Sequence, residues 1–328
     1  MITGGGISPL PIFREPLAKR FIFYFPTGGG KAPESPGAQK GKIMRRIAAI
    51  VLSLLMVLSL AACGQSAAPA QESVPSGVED GVLTIAMECA YAPYNWAQKD
   101  DSNGAVPIAN AEGYANGYDV MIAKRICEAN GWQLEVLQYD WDSLVPGVQT
   151  GTFDAVIAGQ SMTVKRSEQV DFAGPYFYAS IVCLTRADSP YASAQGLSDL
   201  AGGTCTAQSA TIWYDDMLPQ IPNANIVTGS ESAPAMLMAL ETGAVDFVCT
   251  DMPTALGAVA AYDDLVLLDF SAGDDNFDAD EGEINIGVSV RKGNSELLNA
   301  INAVLDPMTA DDFNALMDQA IAVQPVGA

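Results

Sequence analysis

From Val82 onward the sequence alternates short, nearly continuous apolar runs with longer stretches whose apolar residues recur at helical spacing, and this alternation restricts the fold more than any other feature. Strands buried on both faces read as such runs, and helical connections between them favour a largely parallel sheet. An α/β architecture is therefore expected. Strands are expected over residues 83–87, 134–137, 153–158, 205–207, 245–249, 265–270 and 284–290. Helices are expected over 120–129, closed by Asn130-Gly131, and 233–241, closed by Thr242-Gly243, because glycine just past a periodic segment ends a helix. The last stretch, 295–305 and 310–321, reads as purely helical.

The chain also echoes itself. Thr150-Gly151-Thr-Phe-Asp154-Ala-Val156-Ile-Ala-Gly159 aligns with Thr242-Gly243-Ala-Val-Asp246-Phe-Val248-Cys-Thr-Asp251, with Thr, Gly, Asp and Val in register. Each copy reads as a helix end, a glycine turn and a buried strand, which points to two similar lobes, although helix-glycine-strand units are common enough to recur by chance. In open α/β sheets ligands collect beyond the carboxyl ends of the strands. Those ends are Gly159 and Asp251.

Charge divides the 328 residues unevenly. Eight of the 16 basic residues precede Cys63, but only two of the 39 acidic ones do, so the net charge of −23 understates the acidity of the chain beyond Cys63. Such a chain lacks the basic surface that nucleic acid requires. With no histidine, Ser-His-Asp and Cys-His catalysis and most zinc chemistry are excluded. Met44-Arg45-Arg46, an apolar run to Leu60 and Ala61-Ala62-Cys63-Gly64 have the layout of a secretory signal, shorter than a membrane span. The Leu60-Ala61-Ala62-Cys63 ending resembles a bacterial lipobox, which implies a signal peptide over 44–62, a lipid such as palmitate on Cys63 and a flexible tether over 63–80. Residues 1–43 read as an upstream extension, with Met44 as the start.

Several motifs taken together resemble the extracytoplasmic solute-binding proteins of polar amino-acid ABC transporters, family 3. They are Tyr91-Ala-Pro-Tyr94, Gly117-Tyr-Asp-Val120, Asp140-Trp-Asp-Ser-Leu-Val-Pro146, Thr150-Gly-Thr-Phe-Asp-Ala155, Arg166-Ser-Glu-Gln-Val-Asp-Phe172, Gly174-Pro-Tyr176 and Gly287-Val-Ser-Val-Arg-Lys-Gly293. The resemblance covers nearly all of residues 81–325. It implies a periplasmic-binding-protein-like type II fold: two α/β lobes, each a mostly parallel sheet flanked by helices, joined by two hinge crossings. Lobe one would hold residues 81–180 and lobe two residues 181–272. Residues 273–328 would return through the hinge to lobe one and its C-terminal helices.

A free amino acid presents a carboxylate and an ammonium, so its site needs a planar cation with amide donors, and an acid with acceptors. By the resemblance, Arg166 grips the carboxylate, helped by Ser161 and by the N–H groups of Ala210 and Thr211. Asp251 pairs with the ammonium, with Gly159 and Ser161 beside it; an Asp before Met252-Pro253 also reads as a helix N-cap. Tyr91 and Trp141 flank the ligand side chain. Glu88, where relatives that bind cationic amino acids carry an acid, leans the specificity toward arginine, lysine or ornithine. The implied partners are a permease and an ATPase, since the chain has no Gly-x4-Gly-Lys-Ser/Thr loop. A monomer, extracytoplasmic and anchored to the cell membrane, is expected, with no cofactor.

Two other classes stay in view: a cyclohexadienyl-dehydratase-like enzyme on the same lobes, in which Glu88 would be a general acid, and a ligand-sensing module. The acidic run from Asp274 to Glu283 fails the calcium-loop pattern, with Ala279 and Asn285 where Gly and Glu are needed, and reads as a solvated loop. Cys89, Cys127, Cys183, Cys205 and Cys249 are odd in number and read mostly as small buried hydrophobes; sequence alone selects no disulfide among them.

Overall fold

The computed structural model describes residues 76–325. The expected upstream extension, signal peptide and lipid-bearing Cys63 lie outside the described residues, as does the tether up to residue 75. At Ser76, inside the expected tether, the chain is already packed: the residue is buried and its carbonyl accepts a hydrogen bond from Asn294 Nδ2 at 3.0 Å.

Two five-stranded sheets carry the molecule. The first holds β1 (Val82–Met87), β6 (Gln133–Gln138), β7 (Ala155–Val156), β8 (Val170–Phe177) and β14 (Ile286–Arg291) in the order β6-β1-β7-β14-β8. The second holds β9 (Ile181–Arg186), β10 (Thr204–Thr206), β11 (Asn225–Ile226), β12 (Phe247–Asp251) and β13 (Leu265–Leu268) in the order β11-β10-β12-β9-β13. In each sheet four strands share a direction, and the fourth in the order, β14 or β9, opposes them. The mostly parallel layering expected from the apolar runs is thus present twice.

The internal echo has a structural cause. Asp154 donates its N–H to the Thr84 carbonyl and accepts from the Thr84 N–H through its carboxylate at 2.9 Å. Asp246 treats Thr204 identically, the carboxylate bond measuring 2.8 Å. Each aspartate therefore ties the turn before its own strand, β7 or β12, to the neighbouring β1 or β10. The helices before them, α2 (Trp141–Thr150) and α4 (Ala233–Glu241), are followed by Gly151 and Gly243 at φ 74° and 71°, where a side chain would be strained.

Helices cover the sheets through apolar stripes. In α7 (Ser295–Leu305) the buried residues Leu297, Ile301 and Leu305 recur every four positions, and α8 (Ala310–Val323) buries Phe313, Met317 and Ala320 behind a Thr309–Asp312 capping box. The remaining helices are α1 (Tyr118–Asn130), α3 (Val164–Ser167), α5 (Met252–Ala261) and α6 (Glu281–Ile284). A small antiparallel sheet was not evident in the sequence: β2 (Ala90–Tyr91), β3 (Asn95–Gln98), β4 (Val106–Pro107) and β5 (Tyr114–Asn116), each four residues or fewer, leave no readable alternation.

The core is double. One apolar cluster runs from Leu83 to Ala179 and resumes at Ile286, with Ala233 of α4 added; the other draws on residues from Ile181 to Ile284. Residues 178–180 lead from β8 to β9, and Asn285 joins α6 to β14. Phe277 and Ile284 pack in the second cluster, so the chain stays with the second core up to Ile284. Ile284, expected to open a strand, ends α6 instead.

Candidate functional site

The carboxyl ends of the central strands of both sheets meet. Pairing Ile85 with Ala155 and Ala86 with Val156 in the first sheet, and Cys205 with Phe247 and Thr206 with Val248 in the second, makes Glu88 and Gln208 equivalent positions, just as the echo makes Gly159 and Asp251 equivalent. Glu88 and Gln208 touch across the cleft: the Gln208 amide donates to both Glu88 carboxylate oxygens, at 3.3 and 3.0 Å. Between the lobes lies a small cavity lined by Tyr91, Trp141, Gly159, Ser161, Arg166, Gln208, Thr211 and Trp213. Six of these eight were expected from sequence. Gln208 and Trp213 were not, although the strand-end rule that picked Gly159 and Asp251 applies equally to the segment after β10.

Arg166 emerges from α3, whose N-cap Thr163 accepts the Arg166 N–H. Its guanidinium donates to the Ser161 carbonyl and, across the cleft, to the Ala210 carbonyl, both at 2.9 Å, and sits 5.2 Å from the Trp141 ring centroid as a cation–π contact. Burial lowers its pKa to about 10, which leaves it fully charged at neutral pH. Its hydrogen-bond partners here are neutral carbonyls, so a half-buried cation at the cavity stands ready for an anion. Ala210 meets Arg166 and Trp141 through its carbonyl. The Thr211 hydroxyl donates to the Gln208 carbonyl at 2.6 Å and tightens the same loop.

Asp251, fully buried, ends β12 and caps α5, accepting the Thr254 N–H at 2.9 Å. The N-cap role and a place at the cleft coexist. Its second oxygen accepts from the Tyr91 hydroxyl, so Tyr91, which also lines the cavity, bridges the lobes. Burial raises the Asp251 pKa.

Glu88, 7% exposed, sits behind Gln208 and not on the cavity wall. Burial first, with Asp140 and Asp142 adding to it, lifts its pKa to about 7, opposed by the Gln208 bond. Behind the strand ends runs a buried relay that sequence reasoning did not single out. Asp119, from α1, accepts from Tyr176 Oη at 2.7 Å and from Asn95 Nδ2 at 2.8 Å. Tyr176 Oη accepts the Gly159 N–H at 3.0 Å, and Asn95 Oδ1 accepts the Cys89 N–H at 2.7 Å. One carboxylate thereby positions the backbone beside both Glu88 and the cavity.

The family model for bacterial extracellular solute-binding proteins, family 3, matches residues 83–321. A probable histidine-binding protein of Neisseria gonorrhoeae is 26% identical over 76% of this chain and 85% of its own length. The L-cystine-binding protein TcyA of Bacillus subtilis is 25% identical over 80% of this chain and 92% of its own. Among solved structures, an amino acid ABC transporter substrate-binding protein from Streptococcus pneumoniae, bound to L-arginine, superposes with a TM-score of 0.66 and 26% identity, covering 77% of this chain and all of that one.

Proposed function

We propose that this chain, which belongs to the bacterial extracellular solute-binding proteins of family 3, captures a free amino acid between its two lobes and hands it to the permease of an ABC transporter. The observation that carries the reading is the pairing at one cleft of a half-buried guanidinium on lobe one, which lines the cavity, with a buried carboxylate on lobe two that Tyr91, itself a cavity residue, reaches through its hydroxyl. Those are the complements of the two charges every amino acid shares. Arg166 takes the ligand carboxylate, with Ser161, Thr211 and the Ala210 backbone; Asp251 takes the ammonium, with Gly159 and Ser161, as the Tyr91 hydroxyl moves aside. Tyr91 and Trp141 bound the side chain. A lipid on Cys63 anchors the protein outside the membrane as a monomer, and the permease and ATPase are other chains. It is a carrier and not an enzyme: a dehydratase would turn over a ring-bearing acid such as prephenate.

Glu88 supplies the preference for arginine, lysine or ornithine, and a cationic side chain reaches it by displacing the Gln208 amide now covering it. Its carboxyl, half-protonated near neutrality, must ionise to meet a cationic side chain, so binding L-arginine releases a proton. Affinity for L-arginine is expected to strengthen as pH rises from about 6 to about 8 and to level off once Glu88 is ionised in the free protein. Glu88→Gln should remove that dependence and weaken L-arginine on the order of 10- to 100-fold, with little effect on neutral amino acids. Calorimetric titration at two pH values checks this. Equal loss across cationic and neutral ligands would place Glu88 outside the side-chain subsite.

A further inference from the structure

Five buried cysteine thiols lie among the described residues, and the second sheet gathers three of them. Cys183 lies on β9, Cys249 on β12 and Cys205 on β10. In the antiparallel ladder of β12 with β9, Cys249 stands directly opposite Cys183. The class of that pair is set by its neighbours. The Met252 N–H donates to the Ser180 carbonyl, which flanks the Asp251–Ile181 pair and makes it a non-hydrogen-bonded one. Pair types alternate along an antiparallel ladder, so Thr250–Val182 is hydrogen-bonded and Cys249–Cys183 is again non-hydrogen-bonded. At such pairs the Cα atoms approach to about 4.5 Å and the side chains rise side by side from one face, inside the Cα range of about 4.4–6.8 Å that a disulfide spans. Cys205 is placed differently: its register partner on β12 is Phe247, two residues before Cys249, and β12 separates it from β9. Cys89 and Cys127 belong to the other core.

We propose that Cys183 and Cys249 form a cross-strand disulfide in the exported protein. The family to which the chain belongs is extracellular, where such bonds persist. In the bonding step the two thiols lose two protons and two electrons to a disulfide of the compartment, a low-molecular-weight or protein disulfide R–S–S–R. Exchange through a mixed disulfide leaves one Sγ–Sγ bond and two R–SH. Both sulfurs are fully buried, and burial beside Cys183 holds the Cys249 thiol far from ionisation, so the exchange belongs to folding, before the second core closes. The bond closes a loop that contains β10, β11 and α4, and it ties β9, the first strand of the second sheet, to β12, whose last residue is Asp251. It would restrict the unfolded chain and fix the strand pair that presents Asp251 to the cleft.

The test refolds the full chain with oxidised glutathione or with excess reductant, alkylates in denaturant, and maps the digest by mass. The expected oxidised product is lighter by two hydrogens, contains one linked peptide pair joining Cys183 to Cys249, and unfolds several degrees above the reduced protein. Cys205→Ser should keep the link, and Cys249→Ser should abolish both the link and the redox dependence of the midpoint. Recovery of all cysteines as alkylated thiols from the oxidised sample would overturn the proposal, as would a link through Cys205, Cys89, Cys127 or Cys63. The mapping of the unaltered chain reads the pairing whether or not a variant folds.

Discussion

Replacing Arg166 with alanine is expected to weaken binding of every amino acid by about 100-fold or more, because the guanidinium meets the one group that all of them share and does so out of water. Lysine at this position would restore charge but not the planar fork, and is expected to recover only a small part of the affinity. Some stability is lost as well, since the Ser161 and Ala210 carbonyls each lose a donor at 2.9 Å and Trp141 loses its cation. Circular dichroism at the titration temperature separates an empty site from an unfolded one. A folded Arg166→Ala protein with unchanged affinity would remove Arg166 from the site.

Asp251→Asn is expected to lower affinity by a comparable factor without lowering stability. Asparagine caps helices about as well as aspartate, so the bond to the Thr254 N–H survives. What disappears is a buried charge that the Tyr91 hydroxyl and that N–H, both dipoles, hold in place. Because burial raises the Asp251 pKa, the folded protein disfavours its ionised form relative to the unfolded chain. The neutral amide relieves this, and the unfolding midpoint of the empty protein should stay level or rise while affinity collapses. Such opposition marks a residue kept for its ligand and not for the fold. A falling midpoint with intact affinity would make Asp251 a helix cap alone.

Much of this was legible in the residues. The apolar runs located the principal strands because strands buried on both faces need no alternation, and the Thr-Gly…Asp echo marked two turns doing one job, as the matching bonds of Asp154 and Asp246 show. The hairpins between β2 and β5 escaped notice because two to four residues carry no period. Of the site, the cavity brings together Tyr91, Trp141, Gly159, Ser161, Arg166 and Thr211, all named from the sequence. Side-chain direction was not legible. The structure alone shows that Ala210, at a positive φ of 56°, meets Arg166 through its carbonyl and that the Tyr91 hydroxyl bonds to Asp251. Gln208 was passed over because it is neutral: the strand-end rule reaches its segment, and the register between strands then makes it the second-lobe counterpart of Glu88.

The central claim, that two lobes enclose a free amino acid, is tested most directly by a thermal-unfolding screen of the full chain against the common amino acids, ornithine, cystine and prephenate. Ligand present at 100 times its dissociation constant stabilises a protein by about 2.7 kcal/mol, enough for a clear rise in the midpoint. The expected result is a selective rise with arginine, lysine or ornithine that Arg166→Ala abolishes. No rise with any amino acid, or a rise with prephenate alone, would contradict it.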